Sequence, residues 1–260
     1  MFAGIDIGSV TTKAVILDEK ENIRAFSMIP TDSDRQKSGE EVLGLTLDKT
    51  GTSRESIKYI IATGYGRRSF TASNKVLPEI ICHARGTKFL FPAAMTVIDI
   101  GGQDSKVIEL DEKGNVIKFE MNDKCAAGTG RFLEVLTERI LNIRLDELGP
   151  LSLKAKKPCI LSSVCTVFAE SEIISLLSEN RTKQDIACGL HRAIAKRVIG
   201  MGAAGSIHYR EPIIFSGGVA RNVGVIKAIE EELGKKVVTP EEPQLTAALG
   251  AAIFAREYKD

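Results

Sequence analysis

Two kinds of pattern in this chain have chemical meaning: glycine turns flanked by carboxylates, and cysteines set just before helix-forming segments. The first turn is Asp6-Ile7-Gly8-Ser9-Val10-Thr11-Thr12-Lys13, between two β-branched runs. Gly8 lets the backbone approach an anion, and Ser9, Thr11, Thr12 and Lys13 add hydroxyl and ammonium donors. Asp6, at a strand end, has the chemistry to hold the water shell of Mg²⁺, which takes one or two carboxylates and otherwise the phosphates of a substrate. A second such turn follows at Asp99-Ile100-Gly101-Gly102-Gln103-Asp104-Ser105. A third segment, Ile213 to Asn222, reads as strand, then Gly217-Gly218, then helix. Its bare backbone suits a flat base or ribose. Together the three segments predict nucleotide binding, with Lys13 and Lys106 as accessory cations.

Of the five cysteines, Cys125 and Cys165 stand out. Each precedes an amphipathic segment, so each sulfur is expected near the unpaired amides and positive end of a helix, a setting that favours thiolate. Such thiolates suit an iron–sulfur cluster. A cluster takes four of them, and two copies of the chain about a twofold axis would supply the number. The plainer alternative is a pair of ordinary core thiols. Cys82, Cys159 and Cys188 sit in apolar runs and read as small hydrophobes. An odd number of cysteines argues against a disulfide framework, and no CxxC pair suggests a zinc ribbon. His83, His191 and His208 form no recognisable set with a cysteine.

The elements that must position these residues are written as a repeat. Residues 5–23 and 98–116 align without a gap, with ten identities in nineteen positions. Each copy predicts a strand ending at Asp-Ile-Gly, a second strand, and an Asp-Glu-Lys-x-Asn turn into a third. Two similar α/β subdomains follow, with expected limits of 1–95 plus 246–260 and 96–245. Helices are predicted at Gly39–Lys49 and Lys75–Lys88, and at about 128–141, 166–179, 183–204, 220–233 and 244–258. Residues 151–158 read as a loop. Hydrophobic residues make up 43% of the chain, aromatics 5%, and the formal net charge is +1, with no Trp. That balance gives no case for nucleic acid or an anionic membrane surface. No apolar run is long enough to span a bilayer, and the N-terminus lacks a signal-peptide pattern.

The paired Asp-x-Gly turns with a later Gly-Gly segment resemble the nucleotide site of the actin, sugar kinase and heat-shock chaperone superfamily. That resemblance implies an actin-like, ribonuclease H-like α/β fold with ATP in the cleft between two subdomains. It makes Gly8, Ser9, Thr11, Thr12, Lys13, Gly101, Gly102, Gly217, Gly218, Asn222 and Gln244 nucleotide contacts. Ala62 to Arg67, Ile98 to Asp104, Asn122 to Arg131 and Cys165 to Glu172 narrow it further. They resemble the activators of 2-hydroxyacyl-CoA dehydratases and the related ATPase subunits of benzoyl-CoA reductases. This resemblance implies a homodimer bridged by one 4Fe–4S cluster on Cys125 and Cys165 of each copy. It implies ATP/ADP and Mg²⁺ as cofactors, a ferredoxin or flavodoxin as electron donor, and an iron–sulfur dehydratase or reductase as acceptor. Asp6 and Asp99 would place Mg²⁺ and water, Gln103 would orient the attacking water, and an oxygen-sensitive cluster would suit an anaerobe's cytoplasm. Val10 and Val164 depart from hydroxyl residues, and Gln103 replaces the threonine of sugar kinases. The alternatives are a small-molecule kinase, an assembling actin-like protein, or an activator of double-cubane cluster proteins.

Overall fold

The computed structural model describes residues 1–161 and 165–259. Val164 lies outside the described residues. Met1–Ala94, Leu110–Ile117 and the chain from Gln244 onward form one compact unit, and Met95–Glu109 with Lys118–Pro243 form the other.

In the first unit, strands β1 (Phe2–Ile7), β2 (Thr11–Leu17) and β3 (Ile23–Pro30) make an antiparallel meander, as the repeat predicts. Helix α1 (Arg35–Thr50) follows, then β4 (Tyr59–Thr63), β5 (Lys75–Val76) and α2 (Glu79–Leu90). The sheet order is β3-β2-β1-β4-β5, with β4 and β5 parallel to β1. Every residue of β1 is buried, the mark of a central strand covered on both faces. Val42 and Leu43 of α1 pack with Ile5 and Ile7 on one face. On the other, Ala248, Leu249 and Ile253 of the C-terminal helix (Thr246–Glu257) meet Val15 and Leu17. That helix and α2 touch backbone to backbone, since a Cβ on Gly250 would lie 1.9 Å from the Cys82 carbonyl oxygen.

The second unit repeats the meander with β6 (Thr96–Ile100), β7 (Ser105–Leu110) and β8 (Val116–Asn122). It continues through α3 (Gly130–Glu134), α4 (Leu145–Ser152), α5 (Thr166–Ser178), α6 (Lys183–Ala204), β9 (Ile213–Ser216), α7 (Val223–Leu233) and β10 (Val237–Val238). Its sheet runs β10-β9-β6-β7-β8, and β9 lies parallel to β6. One large core joins Ile98, Ile100, Phe132, Leu136, Ile173, Leu190, Ile194, Phe215 and Ile229. The two repeat turns are built alike. Asp18 accepts from the Asn22 backbone amide at 2.9 Å and Asp111 from that of Asn115 at 2.8 Å. Each asparagine's side-chain amide also donates to the same carboxylate, which holds both aspartates below the usual carboxylate range.

Three expectations for the elements are corrected. The helix expected from Lys75 starts only at Glu79, because Pro78 disfavours helical backbone at Leu77; Lys75–Val76 pairs as β5 instead. The expected loop at 151–158 loses its first two residues to α4, whose start is capped by Glu147 accepting from the Arg144 amide. The helix after Cys125 is α-helical only over Gly130–Glu134 and then widens to a π-helical stretch, Val135–Leu141.

Candidate functional site: twin Asp-Ile-Gly turns and a cysteine loop

In the first unit the register sets Asp6 opposite Lys13 across the β1–β2 hairpin. Lys13 Nζ reaches Asp6 Oδ2 at 3.0 Å, with both side chains largely buried. The turn between them is closed by the Gly8 amide donating to the Thr11 carbonyl at 3.1 Å. Thr31, a residue the sequence reading did not single out, braces it: its hydroxyl donates to the Gly8 carbonyl at 3.0 Å and lies 2.8 Å from Thr12 Oγ1. Ser9 and Thr11 are half-buried at the turn surface. Gly64, in the Ala62–Arg67 motif, has φ of +84°, and a Cβ there would lie 2.3 Å from Asp6 Oδ1. The motif therefore wraps the carboxylate, and the Gly66 amide donates to the Ile7 carbonyl at 2.8 Å.

The second unit carries the same brace, more deeply buried. Asp99 is only 2% exposed. Lys106 Nζ lies 3.3 Å from Asp99 Oδ2 and 2.8 Å from Asp104 Oδ2. Ser216, at the end of β9, donates its hydroxyl to Asp99 Oδ1 at 2.8 Å. The Gly-Gly segment is thereby tied to the Asp99–Ser105 turn. Gly217 has φ of +88°, and a Cβ there would meet the Ile100 carbonyl oxygen at 2.3 Å, so only glycine fits. Its amide donates to the Pro243 carbonyl at 2.8 Å, and Gln244, half-buried, follows in sequence. Gly218 opens a single 3₁₀ turn, Gly218–Arg221. Asn222 caps α7, its Oδ1 accepting from the Gly224 and Val225 amides at 2.9 and 3.2 Å. Gln103 is exposed at the tip of the turn.

Cys125 and Cys165 both belong to this unit. Asn122 organises the first cysteine's loop: its Nδ2 donates to the carbonyls of Cys125 at 2.8 Å and Ala127 at 3.0 Å, and its Oδ1 accepts from the Cys125 amide at 3.2 Å. The loop then docks on the Gly101–Gly102 turn. Gly130 N donates to the Gly101 carbonyl and Arg131 N to the Gly102 carbonyl, each at 2.8 Å. Two of the otherwise unpaired amides at the start of α3 are satisfied this way. Cys165 is the N-cap residue of α5, and α5 packs against the Val135–Leu141 stretch that continues α3. Both sulfurs sit in half-buried residues.

The other cysteines make poorer ligands. Burial pushes the Cys82 thiol up to about 12 and raises that of Cys188, so neither yields thiolate readily. Cys159 is buried in the core of the second unit. Among the described residues no group of three or more His, Cys, Asp or Glu side chains is placed to hold a metal ion. One chain thus offers Cys165 at the start of α5 and Cys125 in the loop ahead of α3, whose own N-cap is Thr129, so the helix start expected directly after Cys125 lies five residues further on; two cysteines are half the number an iron–sulfur cluster takes. That donor chemistry fits a cluster shared with a second copy. Asp6, a carboxylate at a strand end beside a turn, has the chemistry to hold Mg²⁺ through water; Asp99 is more deeply buried, with one oxygen on Lys106 and the other on Ser216.

A model of the BadF/BadG/BcrA/BcrD ATPase family matches residues 3–255. The chain is 45% identical over 252 residues to the 2-hydroxyisocaproyl-CoA dehydratase activator of Clostridioides difficile, covering 97% of this chain and 93% of that protein. The solved structure of component A of the (R)-2-hydroxyglutaryl-CoA dehydratase of Acidaminococcus fermentans superposes with a TM-score of 0.94 at 41% identity, covering 99% of this chain and 98% of that one. A ROK family glucokinase from Streptomyces griseus shares the fold at a TM-score of 0.61 and 14% identity, covering 98% and 99%. The fold is the actin-like ATPase fold, two mixed sheets with helices packed on them.

Proposed function

The chain belongs to the BadF/BadG/BcrA/BcrD ATPase family, and from that premise we propose that it hydrolyses ATP to activate a partner enzyme by supplying single low-potential electrons. The partner is an iron–sulfur dehydratase or reductase of the 2-hydroxyacyl-CoA dehydratase type, in line with what its relatives are named for. A ferredoxin or flavodoxin is the donor, and the setting is an anaerobe's cytoplasm. The observation that carries the proposal is the pair of hydrogen bonds from Gly130 and Arg131 to the Gly101 and Gly102 carbonyls. They connect a phosphate-type turn to the helix that follows Cys125 without an intervening residue.

Cys125 and Cys165 of two copies would hold one 4Fe–4S cluster, which when bound supplies one-electron redox chemistry. Second copies have a surface to meet: beside Cys165, α5 exposes Val167 by 65% and Phe168 by 63%. Homodimerisation would bury them. Asp6 and Asp99, each neutralised in part by its own lysine, would bind Mg²⁺ through water and align the ATP phosphates. Gly8 and Gly101–Gly102 present backbone, and Ser9, Thr11, Thr12 and Lys13 present donors. Gln103, exposed beside Asp99's turn, would orient the attacking water. A shift of the Gly101–Gly102 turn on hydrolysis would pull directly on the start of α3.

The test is anaerobic purification followed by iron analysis, absorbance and ATPase assay on the parent, Cys125→Ser and Cys165→Ser. A brown parent with about four irons per two chains, colourless serine variants, and ATP hydrolysis retained by all three would support the proposal. Variants that keep full iron and still energise a partner dehydratase would sink it.

A further inference from the structure

One buried titratable group lies outside both patterns. His191, in the middle of α6, is 1% exposed, and burial holds its imidazole down to about 3. The ring is therefore neutral across the physiological range, and both nitrogens are engaged. Nδ1 lies 2.9 Å from Ser152 Oγ, and Nε2 lies 3.2 Å from Asn222 Nδ2.

The directions of these bonds follow from their neighbours. Asn222 Oδ1 already accepts from the two amides at the start of α7, so its NH₂ group is the one facing the ring. Nε2 must then be the acceptor and Nδ1 must carry the proton. Nδ1–H donates to Ser152 Oγ, whose own hydrogen goes to the Gly149 carbonyl at 2.7 Å. Every bond in the chain has one direction and every polar atom of the ring is used. The surroundings are cut to fit. A Cβ on Gly224 would lie 2.3 Å from both His191 Nδ1 and Ser152 Oγ, and one on Gly149 would lie 2.8 Å from Asn222 Oδ1.

A histidine that only filled space could be replaced by leucine, which avoids burying a polar ring. This one instead ends on the residue that closes the Gly217–Asn222 segment. A lone acceptor facing Asn222 also forbids the flipped amide, which would turn NH₂ towards two N–H donors and uncap α7. We propose that His191 is a positioning residue for nucleotide binding: by fixing the Asn222 amide it holds the Gly217–Asn222 segment in the arrangement a nucleoside meets. The inference rests on the reading of that segment as the nucleoside-binding part of the ATP site.

Two shortened replacements separate positioning from packing. His191→Gln keeps an acceptor near the place of Nε2, whereas His191→Asn keeps a group near Nδ1 and loses the reach to Asn222. In the full chain, affinity for a fluorescent ATP analogue, KM and kcat for ATP hydrolysis, and Tm are measured for parent and variants. His191→Asn is expected to weaken analogue binding and raise KM roughly fivefold, the worth of one neutral hydrogen bond, with kcat little changed. His191→Gln is expected to bind close to the parent even if its Tm falls. Should His191→Asn fold poorly, Ser152→Ala carries the same test, because it frees the proton to move to Nε2 and oppose the Asn222 amide; its KM should rise in the same direction. If Asn, Gln and Ser152→Ala variants all lose Tm while binding the analogue as tightly as a binding parent, the inference fails and the nucleoside reading stands. A parent that binds no ATP analogue overturns the nucleoside reading, and the inference with it.

Discussion

Replacing Lys106 with methionine isolates the electrostatics of the second turn. The Lys106 side chain is 3% exposed, between Asp99 Oδ2 at 3.3 Å and Asp104 Oδ2 at 2.8 Å. Methionine fills a similar volume but leaves two carboxylates facing each other without the cation between them, one of them, Asp99, buried to 2%. Breaking a buried pair from one side costs about 3 to 5 kcal/mol, a large share of the about 5 to 15 kcal/mol that holds most domains folded. The repeat supplies an internal control, because Lys13 faces Asp6 in the same register but with both side chains 11% exposed. Lys13→Met should cost roughly 1 to 2 kcal/mol, between the exposed and buried limits. Urea unfolding followed by circular dichroism gives both losses from the shift in midpoint. The double variant Lys106→Met with Asp99→Asn should recover much of the loss, since asparagine can still accept from Ser216 and the one carboxylate left without its cation, Asp104, is 24% exposed and reached by water. A Lys106→Met loss no larger than that of Lys13→Met, or a double variant less stable than the single one, would refute the reasoning.

Gly217→Ala should lower Tm and abolish stabilisation by ATP, because its Cβ would sit 2.3 Å from the Ile100 carbonyl oxygen; differential scanning with and without ATP checks both. Iodoacetamide at neutral pH should label Cys125 and Cys165 of the metal-free chain well before Cys82, whose thiol stands at about 12; peptide mass analysis over time reads the order. The folded His191 value of about 3 lies below the ordinary 6.5, so the unfolded chain binds the extra proton between them. That contribution to stability is complete above pH 6.5 and is lost as pH falls towards 3, by up to about 1.4 kcal/mol per pH unit. Stability of His191→Gln should follow a flatter curve over that window, measured by urea unfolding at each pH.

What the sequence made legible was local. Asp-Ile-Gly and Asp-Glu-Lys-x-Asn each encode a turn within a few residues, so the twin meanders and their carboxylates could be read directly. Cys165 and its helix were legible for the same reason, a small N-cap residue before an apolar period. The partners that complete the site are not local. Ser216 reaches Asp99 across 117 residues of chain, Thr31 braces Gly8 from the far end of β3, and Gly64 folds over Asp6 from another strand. None of these has a spacing that marks it. His191 looked unaffiliated because its partners, Ser152 and Asn222, lie 39 and 31 residues away. Helix α4 escaped notice because Gly149 and Pro150 break its apolar pattern, although the Glu147 cap starts it firmly. The apolar period that predicts a helix from Lys75 does not register Pro78, whose ring disfavours helical backbone at Leu77 and sets the start of α2 at Glu79.

Peptide planarity gives the docking of α3 on the Gly101–Gly102 turn a second side. Both linkages in that turn are trans, so each carbonyl oxygen and the following amide hydrogen point in opposite directions. With the Gly101 and Gly102 oxygens drawn towards Gly130 and Arg131, the N–H bonds of Gly102 and Gln103 are aimed the other way, like two fingers of a hand held from behind. An anion arriving on that side would find its donors already oriented, and turning either of them would tear a hydrogen bond from the first turn of the helix behind Cys125.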